Sequence, residues 1–72
     1  MNEKLDRRIA DVDQRRDAGD FVGALAMYSD VGRDFPGTAV VPYKQGTTFR
    51  RMGKLGEAEQ AYRDALAINE NY

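Results

Sequence analysis

Apolar residues recur along this chain at spacings of three and four, in four blocks separated by breaks that carry Gly or Pro. In the first block, Glu3 to Ala18, the residues Leu5, Ile9 and Val12 form one helical stripe and charges fill the remaining faces. Glu3 with Arg7 and Asp11 with Arg15 stand four apart in acid-first order, which predicts supporting ion pairs along that helix. Gly19 suits the left-handed residue that follows a helix, and Asp20 can cap the next one. The second block, Phe21 to Phe35, is the most apolar. Phe21, Ala24, Leu25, Tyr28, Val31, Gly32 and Phe35 follow the helical template closely, and Pro36-Gly37 ends it.

The third block, Ala39 to Met52, sends mixed signals. Val40-Val41 and Thr47-Thr48 are β-branched and favour a strand when taken alone. Against that, Pro42 fits a first helical turn, Thr38 can cap it, and Tyr43, Gly46 and Phe49 keep helical spacing. The pattern therefore predicts a helix, closed by Gly53 as Gly19 closes the first. The fourth block, Leu55 to Asn69, carries Leu55, Ala58, Ala61, Tyr62, Ala65, Leu66 and Ile68, and its Ala and Leu content favours a helix.

Shifting the chain by 34 residues places Arg16 on Arg50, Gly19 on Gly53, Ala24 on Ala58, Tyr28 on Tyr62 and Asp30 on Asp64. The matched positions are a turn glycine, a small residue at the helix crossing and an aromatic one turn later. A helix-turn-helix unit with this period resembles the tetratricopeptide repeat. Gly46, Phe49, Gly53, Ala58, Tyr62 and Ala65 fit that family's pattern in the second unit, although Glu70 stands where the family usually has Pro. The first unit keeps Gly19, Ala24, Tyr28 and Pro36 but has Val12, Arg15 and Val31 where Gly, an aromatic and Ala are usual. The expected fold is all-α: two antiparallel helix-turn-helix hairpins stacked as a short right-handed α-solenoid. It forms one domain over 1–72, with repeat one at about 5–38 and repeat two at about 39–72.

Composition narrows the chemistry. The chain has 72 residues, too few to bury more than a marginal core, and no Cys, so no disulfide supports it. It has no His either, which leaves neither a zinc site of ordinary type nor an imidazole base. Gly53-Lys54-Leu55-Gly56 lacks the spacing and hydroxyl of a phosphate-binding loop. Asp11 with Asp13, and Glu57 with Glu59, are two apart and so point from different helix faces, which makes no acid–base dyad. The chain reads as a non-enzyme without cofactor or metal. Eleven basic and 12 acidic residues, well mixed, give no footprint for nucleic acid or membrane. Met1 to Ala10 is charged without an apolar run, so a secretory signal is not expected and a cytoplasmic location is the default.

Binding is the remaining class. The tetratricopeptide resemblance implies that the first helix of each hairpin lines a concave groove for peptides or helices. It places Asp6, Ile9, Asp13, Arg16 and Asp17 there from repeat one, and Val40, Tyr43, Lys44, Thr47, Arg50 and Arg51 from repeat two. From Phe35 to Gly56 the chain has four cations (Lys44, Arg50, Arg51, Lys54) and no acid, which favours an acidic protein or peptide partner. A branch of the family grips C-terminal carboxylates with basic and Asn residues; Ile9, Asp13 and Lys44 occupy the corresponding places, and Asp13 would repel a carboxylate. Two hairpins are also fewer than the three or so repeats that stabilise such arrays. Ala61, Ala65, Leu66 and Ile68 on the fourth helix are therefore expected to be exposed and to mediate homo-oligomer formation, or contact with further repeats.

Overall fold

A computed structural model describes residues 2–72. The described chain is all-helical: α1 spans Glu3–Asp17, α2 Phe21–Asp34, α3 Val40–Arg51 and α4 Leu55–Ile68. Each helix packs on the next, α1 on α2, α2 on α3 and α3 on α4, giving two stacked hairpins. The radius of gyration of 11.3 Å equals the roughly 11 Å of a compact domain of this length, so the hairpins are not splayed apart.

The breaks between the helices repeat as the sequence does. Gly19 has φ +96°, its N–H donates to the Arg16 carbonyl, and Asp20 N–H donates to the Arg15 carbonyl. At the second hairpin Gly53 has φ +77°, and the same two bonds run from Gly53 to Arg50 and from Lys54 to Phe49. Both are Schellman closures, which satisfy the last carbonyls of the outgoing helix and reverse the chain within two residues. The following N-termini differ. Asp20 accepts from the Gly23 N–H at 2.9 Å, whereas Lys54 offers no side-chain cap.

The β-branched stretch of α3 is helical because its hydroxyls serve the helix itself. Thr47 Oγ1 and Thr48 Oγ1 both donate to the Lys44 carbonyl, at 2.7 and 2.8 Å, so neither needs a partner elsewhere. Thr48 is thereby buried without an unsatisfied polar atom. Thr38, expected to cap α3, does not. Its hydroxyl donates to the Phe35 carbonyl at 2.8 Å, closing the Pro36-Gly37 turn, and Ala39 starts the helix without a side-chain cap.

The core lies mainly between the first hairpin and α3. Ile9, Val12, Ala24, Tyr28, Val31 and Val41 form it, with Leu5, Met27, Phe35 and Val40 packed around. The second hairpin closes by a different means. The buried apolar residues of α4 are all alanines (Ala58, Ala61 and Ala65), and α3 meets the helix at Gly46, where a Cβ would lie 2.6 Å from Tyr62 Cε1. The aromatic ring therefore occupies the space a side chain at position 46 would take. Leu55 and Ile68, at the two ends of α4, are exposed and contribute little to the core.

Replacing Gly46 with Leu is expected to destabilise the fold by about 1–3 kcal/mol through overpacking against Tyr62. Gly56→Ala, where nothing lies within 4 Å, should instead stabilise by about 0.5 kcal/mol. Urea unfolding of the two variants checks both signs.

Candidate functional site

The longest run of polar contacts joins α1 to α3. Lys44 Nζ donates to Asp13 Oδ2 at 3.0 Å, Arg16 Nη1 to Thr47 Oγ1 at 3.3 Å, and Arg51 Nη1 to Asp17 Oδ1 at 2.7 Å. These are the rungs of a ladder that descends both helices in register. Helical spacing makes it possible: positions 13, 16 and 17 share one face of α1, as 44, 47 and 51 share one face of α3.

Tyr28 of α2 supports the ladder from beneath. Its ring is fully buried (0% exposed), and its hydroxyl donates to Asp13 Oδ1. Arg16 Nη1 reaches the same hydroxyl at 3.3 Å and stands 3.6 Å from Asp13 Oδ1. Asp13 thus takes one donor from the hairpin's own core and another from the neighbouring hairpin. Arg16 also donates through Nε to Asp17 at 3.2 Å, and with its side chain only 14% exposed it is well enclosed for a cation. Desolvation works against its charge, but the hydrogen bond to Asp17 and the charges around it outweigh this and raise its pKa.

Three further titrations follow from the geometry. Burial, then the hydrogen bond to Asp13 and that carboxylate's charge, push the Tyr28 phenol well above its ordinary value. Asp17 is held below the usual carboxylate range by its hydrogen bonds from Arg51 and Arg16. Asp20 is held low by the Gly23 N–H and then by Arg15.

The residues expected in the groove divide into three groups. Asp13, Lys44, Thr47 and Arg51 come together, as partners of one another or of α1, so two of the four cations expected to favour an acidic partner, Lys44 and Arg51, are already paired. Tyr43 and Arg50 face outward. With Thr47 they form a stripe spaced four and three along α3, and Arg50 has no ion-pair partner among the described residues. Ile9, expected in the groove, is a core residue instead (7% exposed), because its stripe on α1 is the one that meets α2.

On α4 the expected exposure holds for Leu66 and Ile68 but not for Ala61 and Ala65, which are buried. Ala65, only 2% exposed, lines a hollow of about 210 Å³ together with Tyr43, Tyr62, Leu66 and Tyr72. The ring of Tyr43 meets Tyr62 at 5.8 Å between centroids and Tyr72 at 5.3 Å in an edge-on arrangement. Alternating apolar and small residues on α4 signalled this end face; the closure by Tyr72 had no periodic signal.

The acid-first pairs within α1 do not form. Arg15 instead reaches Asp20 at 3.0 Å, a carboxylate already fixed by capping, and Arg8 crosses to Asp34 on α2 and lies over the Phe35 ring. No ion pair joins Glu3 to Arg7 among the described residues, in keeping with the small gain available to exposed pairs. Among those residues no group of His, Cys, Asp and Glu is arranged to hold a metal ion, and no helix is long and apolar enough to cross a membrane. Compared with protein-family models, with characterised proteins and with solved structures, the chain matches none.

Tyr28→Phe is expected to cost about 1.5 kcal/mol at neutral pH by removing a hydrogen bond to a carboxylate. A phenol whose folded pKa is raised contributes stability below about pH 10 that is lost as pH rises further, so the wild-type chain should weaken above pH 10 and the Phe variant should not follow that fall. The carboxylates act in the opposite direction. Asp17 and Asp20 are depressed in the folded state, so their contribution is present above about pH 4 and lost as pH falls through their lower folded values. Asp17→Asn should flatten part of that acid limb, measured by thermal unfolding across pH.

Proposed function

We propose that this chain is a protein-interaction module, a tetratricopeptide-type pair of hairpins that holds a protein or peptide partner on the face built by α1 and α3. The observation that supports this most is the ladder itself. Charged side chains on a surface ordinarily keep their rotamer freedom, and ordering them on binding costs about 0.5–1.5 kcal/mol each. Here Asp13 already holds Lys44 and Arg16, and Asp17 holds Arg16 and Arg51, so a partner would meet a preorganised polar surface. Tyr43 and Arg50, standing beside it, supply the amphipathic ring and the cation that are enriched where binding energy concentrates.

The ladder also refines the kind of partner. A strongly acidic peptide would have to compete with Asp13 and Asp17 for Lys44 and Arg51, and it would meet Asp13 directly. One carboxylate opposite Arg50, with an apolar group against Tyr43, fits the face better than an acidic run. The repeat architecture and the lack of Cys and His both favour binding over catalysis.

Short peptides selected from a displayed random library should converge on an acidic residue beside an aliphatic or aromatic one. Their amide shifts in an isotope-labelled chain should centre on Tyr43, Thr47 and Arg50. Arg50→Glu should weaken a selected peptide by about thirtyfold or more, since losing one partner of a desolvated charge contact costs about 2 kcal/mol or more. Selected peptides that map away from α1 and α3 would reject this face as the site.

A further inference from the structure

The hollow at the end of the stack has a counterpart inside the molecule. Moving back 34 residues from Tyr62, Ala65 and Leu66 leads to Tyr28, Val31 and Gly32 on α2. In the first hairpin that surface is covered by α3: Tyr28 and Val31 are buried with Val41, and Val41 Cγ1 lies 3.2 Å from where a Gly32 Cβ would be. In the second hairpin no helix covers the equivalent surface; only Tyr72 reaches it, against the Tyr43 ring, and Leu66 is 49% exposed. The floor of the hollow is therefore a helix seat that the chain uses once, between α2 and α3, and presents again on α4.

Its lining indicates what sits there. Tyr, Ala and Leu side chains supply no carboxylate or cation to fix a charged ligand. About 210 Å³ is below the roughly 300–1,000 Å³ of small-molecule sites and suits one or two apolar side chains. Head-to-tail stacking of a second copy fits poorly. The α1 positions that correspond to Val40 and Val41 are Asp6 and Arg7, both exposed and charged, and they would be set against tyrosine rings and Leu66.

We infer that this end face seats one amphipathic helix of another polypeptide, laid across α4 as α3 is laid across α2. The volumes on α4 set its contact row. Leu66 replaces Gly32 and fills the room that Val41 uses, so the incoming helix needs Gly or Ala at that point. Ala65 replaces Val31 and leaves the hollow, so a larger apolar side chain enters there. The face shares Tyr43 with the proposed groove but is otherwise built from α4 and Tyr72, and it does not depend on the groove having a ligand.

The test uses the whole chain and, as probe, a synthetic peptide of residues 38–52 held helical by a lactam bridge on its solvent side, with and without Val41→Ala. Amide shifts should centre on Tyr62, Ala65, Leu66 and Tyr72 and leave Thr47 and Arg50 unmoved. The Val41→Ala peptide should bind about tenfold tighter than the unchanged peptide, because one clashing branched side chain is removed. Leu66→Asp, at an exposed position that leaves the fold intact, should abolish peptide binding while leaving a groove-selected peptide bound as before. Absence of binding by both peptides, or equal affinity for the two, would overturn the inference. So would sedimentation showing that the chain alone dimerises through this face and that Leu66→Asp makes it monomeric, since the occupant would then be a second copy.

Discussion

The contact on which the rest depends is the hydrogen bond from the buried Tyr28 hydroxyl to Asp13. It fixes a carboxylate between two hairpins, one oxygen turned to α2 and the other to Lys44 of α3. A phenol cannot be buried cheaply without a partner, and a carboxylate cannot be half-buried without donors. Each group supplies what the other lacks, and Lys44 and Arg16 supply the compensating charge. The stacking of the hairpins is thus written in hydrogen-bond chemistry as well as in the apolar contact of Val31, Val41 and Tyr28.

This arrangement explains why so small a chain can carry a surface of fixed charges. The core is concentrated around the first hairpin and α3, where large side chains interlock. The α3–α4 hairpin relies on the close approach that Gly46 and the alanines permit. A close approach of this kind buries less apolar area per residue than Leu or Ile would, so α4 adds little to the apolar core. It is also the helix whose outer face remains apolar, and both features fit an element that gains stability from being covered.

Much of the fold was legible along the chain because the signals were local. Helical spacing, the two glycine closures and the Asp20 cap each act over a few residues, and the 34-residue shift extended them to a second hairpin. The β-branched α3 was legible through Pro42 and its spacing, although the back-bonding of Thr47 and Thr48 to Lys44 supplied the reason. Contacts between distant residues were not legible. Asp13 meets Tyr28 and Lys44 only when α1, α2 and α3 are stacked, so its role as a bridge had no sequence signal, and the cations of α3 read as free when two are paired. Thr38 misled for a related reason: its hydroxyl donates to the Phe35 carbonyl and closes the preceding turn, and accepts from no N–H of α3. Ala61 and Ala65 were read as exposed because they stand on an outer helix, whereas small side chains are covered by whatever stands taller beside them.

A double-mutant cycle between Tyr28→Phe and Lys44→Met tests the central claim most directly, since the two side chains meet only through Asp13. If that carboxylate links the hairpins as described, unfolding free energies from urea titration should show a coupling of about 0.5–1.5 kcal/mol between the two substitutions. Additivity within about 0.3 kcal/mol would mean that Asp13 does not link the two hairpins, and would contradict the account.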